Sequence, residues 1–340
     1  MKVSDVLQAW RRILEGRVPS LSIEITRECP LHCPGCYAYH DGHLGDPSTT
    51  LRDLADYRGA ELVEGILRVV DQYQPLHLSL VGGDPLVRYR ELEVLLPKLL
   101  QRDLHVQIVT SAFRPLPESW ATYRRLNIAV SIDGLPPEHN IRRAPATYDR
   151  ILANIRGHHV TVHCTITSPM MRQPRYLERF LDFWSANENT RKIWMSIFTP
   201  QQGENSPECL TREERERAIR ELLDLRPRYP KLDMEESMLR EFLHPPVSPA
   251  RCIFAQTTAT ISADLRTPIT PCQFGGNPDC SQCGCVASMG LAAVGHHKVL
   301  GSLTAGHLFF LSNAIGKRLP RRQPVAPPRR VPDLVQIGDD

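Results

Sequence analysis

The sequence has no apolar run approaching the roughly 18 residues that a membrane span needs, so no membrane span is expected. It also has little excess charge of either sign. Against 38 Asp and Glu stand 41 Lys and Arg, a net of +3, too little to argue for a nucleic acid or an anionic surface as partner. No secretory signal is expected, because 1–10 carries charges where a signal's apolar core would stand. The reading is therefore a cytoplasmic protein, in a reducing milieu that disfavours disulfides. Ten cysteines in 340 residues are in any case too sparse for a disulfide scaffold.

What is present is ordinary for a folded chain: 41% hydrophobic and 23% charged residues, enough for a core of normal size. The length allows one large α/β domain or two smaller ones. The cysteines, however, are clustered. Cys29, Cys33 and Cys36 fall within eight residues; Cys252, Cys272, Cys280, Cys283 and Cys285 fall within 34; Cys164 and Cys209 stand alone. Such clusters point to metal rather than to covalent staples.

Residues 4–16 have the pattern of a short amphipathic helix ending at Gly16, a packing element within an N-terminal segment 1–18. Residues 21–26 alternate and are rich in branched side chains, as a strand requires. Pro30, Pro34 and Gly35 then forbid a regular helix, so the first three thiols ride on a loop leaving a strand end. Thr50 and Asp53 have capping-box spacing, and Leu51, Leu54, Leu62, Ile66, Leu67 and Val70 recur at helical intervals, which predicts one helix toward Tyr73.

Further strands are expected at 76–81, 105–110, 128–133, 160–166 and 193–198. Helices are expected at 88–101, 117–125, 147–156, 174–186 and from a second capping box at Thr211 to about Leu225. Six strands alternating with helices imply an α/β fold of parallel strands joined by helical crossovers. Parallel sheets bind ligands beyond the carboxyl ends of their strands. The cysteine loop, Gly82, Gly83, Ser111, Asp133 and Thr165 all stand at such ends.

Pro245, Pro246 and Pro249 mark a boundary. Beyond it, 258–262, a turn at 264–266 and a second short strand reaching Cys272 make a hairpin plausible. Residues 291–316 read as helix packing back, and 317–340, rich in Pro and Arg, as a disordered tail.

Thiolates are the ligands that iron–sulfur clusters demand. Three of them on a four-iron cluster would leave one iron open for chemistry, whereas zinc would add His32, His40 or His43 as a fourth ligand. The second group has thiols enough for a closed cluster or for zinc, with one cysteine to spare. His296 and His297 stand near that group, although a surface loop is the plainer reading; His77, His105, His158 and His163 read as packed. Gly82 and Gly83 let backbone approach a ligand, and Ser131 and Asp133 share one face of their strand.

The spacing C-x3-C-x2-C after the first strand resembles the signature of the radical S-adenosylmethionine (radical SAM) superfamily. That resemblance implies a [4Fe–4S] cluster on Cys29, Cys33 and Cys36, whose open iron is chelated by S-adenosylmethionine. Reductive cleavage then gives a 5′-deoxyadenosyl radical that abstracts hydrogen from a substrate. It further implies a partial (β/α)6 TIM-like barrel over 19–230. Gly82-Gly83-Asp84-Pro85 resembles the family's GGEP motif, which binds the methionyl ammonium group. Ser131-Ile132-Asp133-Gly134 resembles its S-x-D-G, which contacts the ribose or methionyl carboxylate. Ser111 follows Thr110 where relatives carry Thr-Asn. One departure is visible: Gly35 stands where the family has an aromatic residue before the third cysteine, and Tyr37 follows it instead.

Residues 245–316, with Cys252, Cys272, Cys280, Cys283 and Cys285, resemble the Twitch or SPASM extensions that hold auxiliary iron–sulfur clusters; one further [4Fe–4S] cluster fits the thiol count. The resemblance also implies an electron donor such as flavodoxin or ferredoxin. The substrate, a small molecule, a peptide or a lipid precursor, is not named by any residue. Residues 1–20 are too short for a separate peptide-recognition domain, which tilts the expectation away from peptides. The rival from another class is a two-site zinc protein acting as an interaction module.

Overall fold

The computed structural model describes residues 3–40, 42–45 and 48–318. The tail expected at 317–340 therefore lies, from residue 319 on, outside the described residues. The chain opens with helix α1 (Val3–Leu14) and strand β1 (Ser20–Glu24), followed by α2 (Gly59–Tyr73), β2 (His77–Val81), α3 (Tyr89–Leu100) and β3 (His105–Thr110). Next come β4 (Leu126–Ser131), α4 (Pro136–Arg143), α5 (Tyr148–Asn154), β5 (Val160–Ile166), α6 (Ser168–Met171), α7 (Tyr176–Ala186) and β6 (Thr190–Ile197). The remainder holds α8 (Arg212–Leu225), α9 (Glu236–Glu241), α10 (Ile253–Thr257), β7 (Thr258–Ile261), α11 (Val286–His296), a small hairpin of β8 (Lys298–Leu300) and β9 (Leu303–Thr304), and α12 (Ala305–Arg318).

Seven strands form one sheet in the order β6-β5-β4-β3-β2-β1-β7, and every neighbouring pair is parallel. The expected α/β architecture of partial-barrel type is what the chain adopts, with one correction: the sheet has a seventh strand. Residues 258–261 extend it beside β1, in register Ser22 to Thr260. They also form the first arm of the expected hairpin around the turn at Asp264, with Ser262 N–H donating to Thr267 O at 2.8 Å, Ile269 N–H donating to Thr260 O at 2.9 Å and an antiparallel bridge from Ile261 to Pro268.

A second correction concerns the capping box. Thr50 and Asp53 do bond reciprocally, but they close a single 3-10 turn, Leu51–Asp53. Leu54 is extended, and the helix starts only at Gly59. The box at Thr211 opens α8 as expected.

Alternation along the strands sends two kinds of side chain to two faces. Leu21, Ile23, Leu78, Leu80, Val106, Ile108, Val130, Val162 and Ile193 are fully buried against helix residues such as Ile66, Leu95, Ile151, Phe180 and Ile219. That outer layer is the core. The opposite, inner face is polar: Thr260, Ser22, Ser79, Gln107 and Asn127 stand side by side on five successive strands. Closed (β/α) barrels fill this space with branched apolar side chains. This chain does not.

The two edge strands are β6 and β7. Residues 262–285 run from one to the other: the chain leaves β7, and Gly284 is bonded to β6 through Ile197 N–H to Gly284 O at 2.9 Å. Gly284 N–H then donates to Thr199 Oγ1 at 2.8 Å. Covering both edges blunts unwanted strand pairing and places the second cysteine group at the end of β6. Helix α11 packs on β6 and α9, and α12 returns to α1, where Trp10 Nε1 donates to Ser312 Oγ at 2.8 Å.

Candidate active site

The carboxyl ends of β1 to β4 carry the first cysteine loop and the side chains around it. Cys29, Cys33 and Cys36 are half-buried free thiols on the loop after β1. Burial pushes the Cys29 thiol up to about 12 and raises Cys33 and Cys36 too, opposed at the latter two by the Arg143 guanidinium. The Leu31 N–H points at Cys29 sulfur, and the Ala38 and Tyr39 N–H groups at that of Cys36. Backbone donors of this kind stabilise thiolates and tune cluster potentials.

The turn after β2 is pressed against this loop. Gly82 and Gly83 have φ of +80° and +52°, open to glycine at no steric cost. A Cβ on Gly83 would lie 2.1 Å from the Glu28 carbonyl oxygen, next to Cys29, so only glycine lets the two backbones meet. Asp84 N–H donates to that same carbonyl at 2.9 Å. The Asp84 carboxylate, 2% exposed, faces inward rather than out: Oδ1 accepts from Leu86 N–H at 3.0 Å and Thr110 Oγ1 at 2.6 Å. Its Oδ2 accepts from Ser111 N–H at 2.8 Å and Ser111 Oγ at 2.5 Å. All four acceptor positions are used within the chain. Asp84 and Ser111 thus brace the glycine turn against β3.

Ser131 ends β4 half-buried, and Asp133, two residues on, is buried. Asp133 Oδ2 accepts from Arg142 Nε at 2.9 Å and Arg143 Nε at 2.7 Å. Burial would raise its pKa, but the two arginine charges outweigh it and hold the carboxyl at about 2, ionised at every physiological pH. Arg142 also pairs with Glu208 and donates from Nη2 to Pro34 O at 2.8 Å, which ties α4 to the cysteine loop. The sequence did not single out Arg142, Arg143 or Glu208. The two arginines, at the end of a short helix, look like a solvated basic turn, and Glu208 stands in the loop before α8; only the fold brings the arginines to Asp133 and Glu208 to Arg142. Thr165, at the end of β5, stands in register with Ser196.

Cys252, Cys272, Cys280, Cys283 and Cys285 line one pocket together with Thr199, Phe274 and Ser288. Burial pushes Cys272 up to about 12 and Cys280 to about 11, and raises Cys283 and Cys285. Sulfur acceptors are met by Ala255 N–H at Cys252 (3.5 Å) and Gln273 Nε2 at Cys285 (3.4 Å). Arg215 of α8 holds the Cys283 carbonyl at 3.0 Å and the Phe242 carbonyl at 2.9 Å. Five thiols with N–H groups beside two of them are a donor set whose chemistry suits an iron–sulfur centre. Among the described residues no three His, Cys, Asp or Glu side chains close on one point as a single ion would require.

The histidines resolve individually. His296 pairs with Glu241 at 2.7 Å on the surface and does not line the thiol pocket. His163 bonds Ser196 Oγ at 2.8 Å within the inner face, and burial lowers its pKa to about 4, so it stays neutral. His43 is buried and bonds Glu24. The Tyr37 ring stands edge-on to Phe274 at 5.4 Å and 5.8 Å from the His43 ring. Deeper in the sheet, Asn127 Nδ2 donates to Gln107 Oε1 at 2.9 Å, while the buried Ser22 Oγ and Thr258 Oγ1 have no hydrogen-bond partner among the described residues.

With this geometry in hand, comparisons with known proteins agree. The family model of the radical SAM superfamily matches residues 23–183. The chain is similar in fold to Streptococcus suis SuiB bound to S-adenosylmethionine, with TM-score 0.53 and 14% identity, covering 76% of this chain and 60% of that one. SuiB bound to its precursor peptide SuiA gives TM-score 0.54 and 14% identity over 76% and 61%. Native anSMEcpe with bound AdoMet gives TM-score 0.55 and 16% identity over 79% and 80%. The chain thus spans about three-fifths of the length of SuiB, and at these identities the likeness is one of fold. No curated protein matches the chain significantly.

Proposed function

We propose that this chain, whose residues 23–183 match the family model of the radical SAM superfamily, is an enzyme that holds a catalytic [4Fe–4S] cluster on Cys29, Cys33 and Cys36 and an auxiliary one in the five-thiol pocket. The observation that carries this reading is the contact of the three-cysteine loop with a glycine turn that no side chain could occupy, at the mouth of an open parallel sheet. Cluster and S-adenosylmethionine together would supply a 5′-deoxyadenosyl radical. The protein's own part is placement. The Gly82 and Gly83 backbone receives the methionyl end, with Asp84 and Ser111 fixing its shape. Asp133 and Glu208 balance the charge of Arg142 and Arg143 and fix the two guanidinium groups beside the cysteine loop, where their remaining N–H donors would meet an anionic group of the cofactor. Four of Cys252, Cys272, Cys280, Cys283 and Cys285 would hold the auxiliary centre, and a flavodoxin- or ferredoxin-like donor in the cytoplasm would supply electrons.

The polar inner face bears on the substrate. A row of Ser, Thr, Gln and Asn, with unpartnered hydroxyls at Ser22 and Thr258, penalises a hydrocarbon and rewards amide or hydroxyl groups. A lipid precursor therefore fits least, and a peptide, as SuiB binds, or another polar molecule fits better.

Zinc is the competing occupant. Thiolates hold it as readily as iron–sulfur clusters, so the occupant is decided by metal and sulfide content. Anaerobically isolated protein is expected to be brown, to carry iron and sulfide, and to release 5′-deoxyadenosine when given dithionite and S-adenosylmethionine. A colourless zinc protein that stays inert after iron reconstitution would refute the proposal.

A further inference from the structure

Between the two cysteine groups lies a buried acid–imidazole pair to which the site as described gives no task. Glu24, the last residue of β1, and His43 are each 1% exposed. His43 Nε2 meets Glu24 Oε1 at 2.8 Å, and Ser262, just past β7, donates its hydroxyl to Glu24 Oε2 at 2.7 Å. The other ring nitrogen, Nδ1, lies 2.9 Å from the Phe274 carbonyl oxygen, two residues beyond Cys272. Both ring nitrogens thus face oxygen, so the pair holds one proton between acid and base and has a single orientation.

Each end of this pair is pressed by backbone. A Cβ on Gly82 would sit 2.2 Å from the Glu24 Cβ, so the glycine turn of the cofactor cradle rests on the acid. A Cβ on Gly275 would sit 2.0 Å from the His43 carbonyl oxygen and 2.6 Å from its Nδ1, so the loop after Cys272 rests on the imidazole. Close-packed interiors transmit such displacements rather than absorb them. A buried ion pair is weak evidence of stabilisation in itself and is better understood as fixing a specific arrangement.

We propose that Glu24 and His43 are positioning residues that transmit the state of the second cysteine group to the Gly82–Gly83 cradle, so that affinity for S-adenosylmethionine depends on whether the auxiliary centre is assembled. This rests on the radical SAM reading of the site. The test is equilibrium binding of labelled S-adenosylmethionine to the full, anaerobically reconstituted chain, with iron content measured in parallel. Four proteins are compared: wild type, Cys272→Ser/Cys280→Ser/Cys283→Ser, which leaves two thiols in the second group, His43→Gln and the combined variant. Loss of the second centre is expected to weaken binding about tenfold, within the ordinary range of coupling between sites. His43→Gln is expected to weaken it similarly, and the combined variant no further, because the path is already cut.

Glu24→Gln supplies a readout that a merely structural role would not move. Its amide can donate to neutral His43 and accept from Ser262, so it should retain the dependence on the second centre, whereas Glu24→Ala should lose it. Should His43→Gln fail to fold, Ser262→Ala, which removes one hydrogen bond, replaces it in the same scheme with the same expected non-additivity. Fold-changes that multiply in the combined variant, or a His43→Gln protein with wild-type affinity, would overturn the proposal. Fully iron-loaded wild type that binds no S-adenosylmethionine would instead overturn the reading on which it rests.

Discussion

Cys33→Ala, reconstituted with iron and sulfide and reduced in the presence of S-adenosylmethionine, is expected to release no detectable 5′-deoxyadenosine. Cys33 is the middle thiol of the three proposed to hold the cluster; Pro34 and Gly35 separate it from Cys36, and His32, next to it, is exposed. Two thiolates cannot present a four-iron cluster with a single open corner. Cys164→Ala is the matched control. That thiol is buried on the outer, apolar face of β5, where burial keeps it protonated. Its loss is expected to lower stability modestly and leave cleavage intact. Wild-type release from iron-loaded Cys33→Ala would remove the loop as ligand set.

The second large effect falls on Asp84. Replacing it with Ala strands Leu86 N–H, Thr110 Oγ1, Ser111 N–H and Ser111 Oγ, each at hydrogen-bond distance from its carboxylate. A buried donor left unpaired costs about 1–3 kcal/mol. The four share one pocket and some will re-pair, so a loss of about 3–5 kcal/mol is expected in urea unfolding. Asp84→Asn keeps one acceptor oxygen and should fold, but its NH2 opposes the Ser111 donors and tilts the turn. Its affinity for S-adenosylmethionine should therefore fall more than its stability. If Asp84→Asn bound the cofactor as wild type does, the bracing role assigned to this carboxylate would be wrong.

Much of this arrangement was legible because strands speak through short-range alternation. The residues of β1 to β6 carry branched side chains on one face, and the turn residues after them fall at the ends where a parallel sheet gathers ligands. The thiols were legible by spacing. The misreadings have physical reasons. Thr258–Ile261 is four residues long, and its partner β1 lies more than 230 residues earlier, so nothing local marks it as parallel. The box at Thr50 has the right residues for a helix start, but extended backbone at Leu54 interrupts it, and Gly59 with φ +55° opens the helix afresh. Alternation also conceals: Ser22, Ser79, Gln107 and Asn127 look like solvent-facing positions, yet they line the inside of a curled sheet. Glu24 and His43 are 19 residues apart and acquire meaning only when Phe274 and Ser262 arrive from the far end of the chain.

Everything depends on an iron with a free coordination site next to the Gly82–Gly83 turn. The most direct measurement is the electron paramagnetic resonance spectrum of the reduced, iron-loaded Cys272→Ser/Cys280→Ser/Cys283→Ser variant, whose second group keeps only two thiols, too few for a cluster. It should be recorded without and with saturating S-adenosylmethionine. A reduced [4Fe–4S] signal whose g-values shift on addition is the result predicted here. An unchanged spectrum from fully loaded protein, or no cluster signal at all, would contradict it.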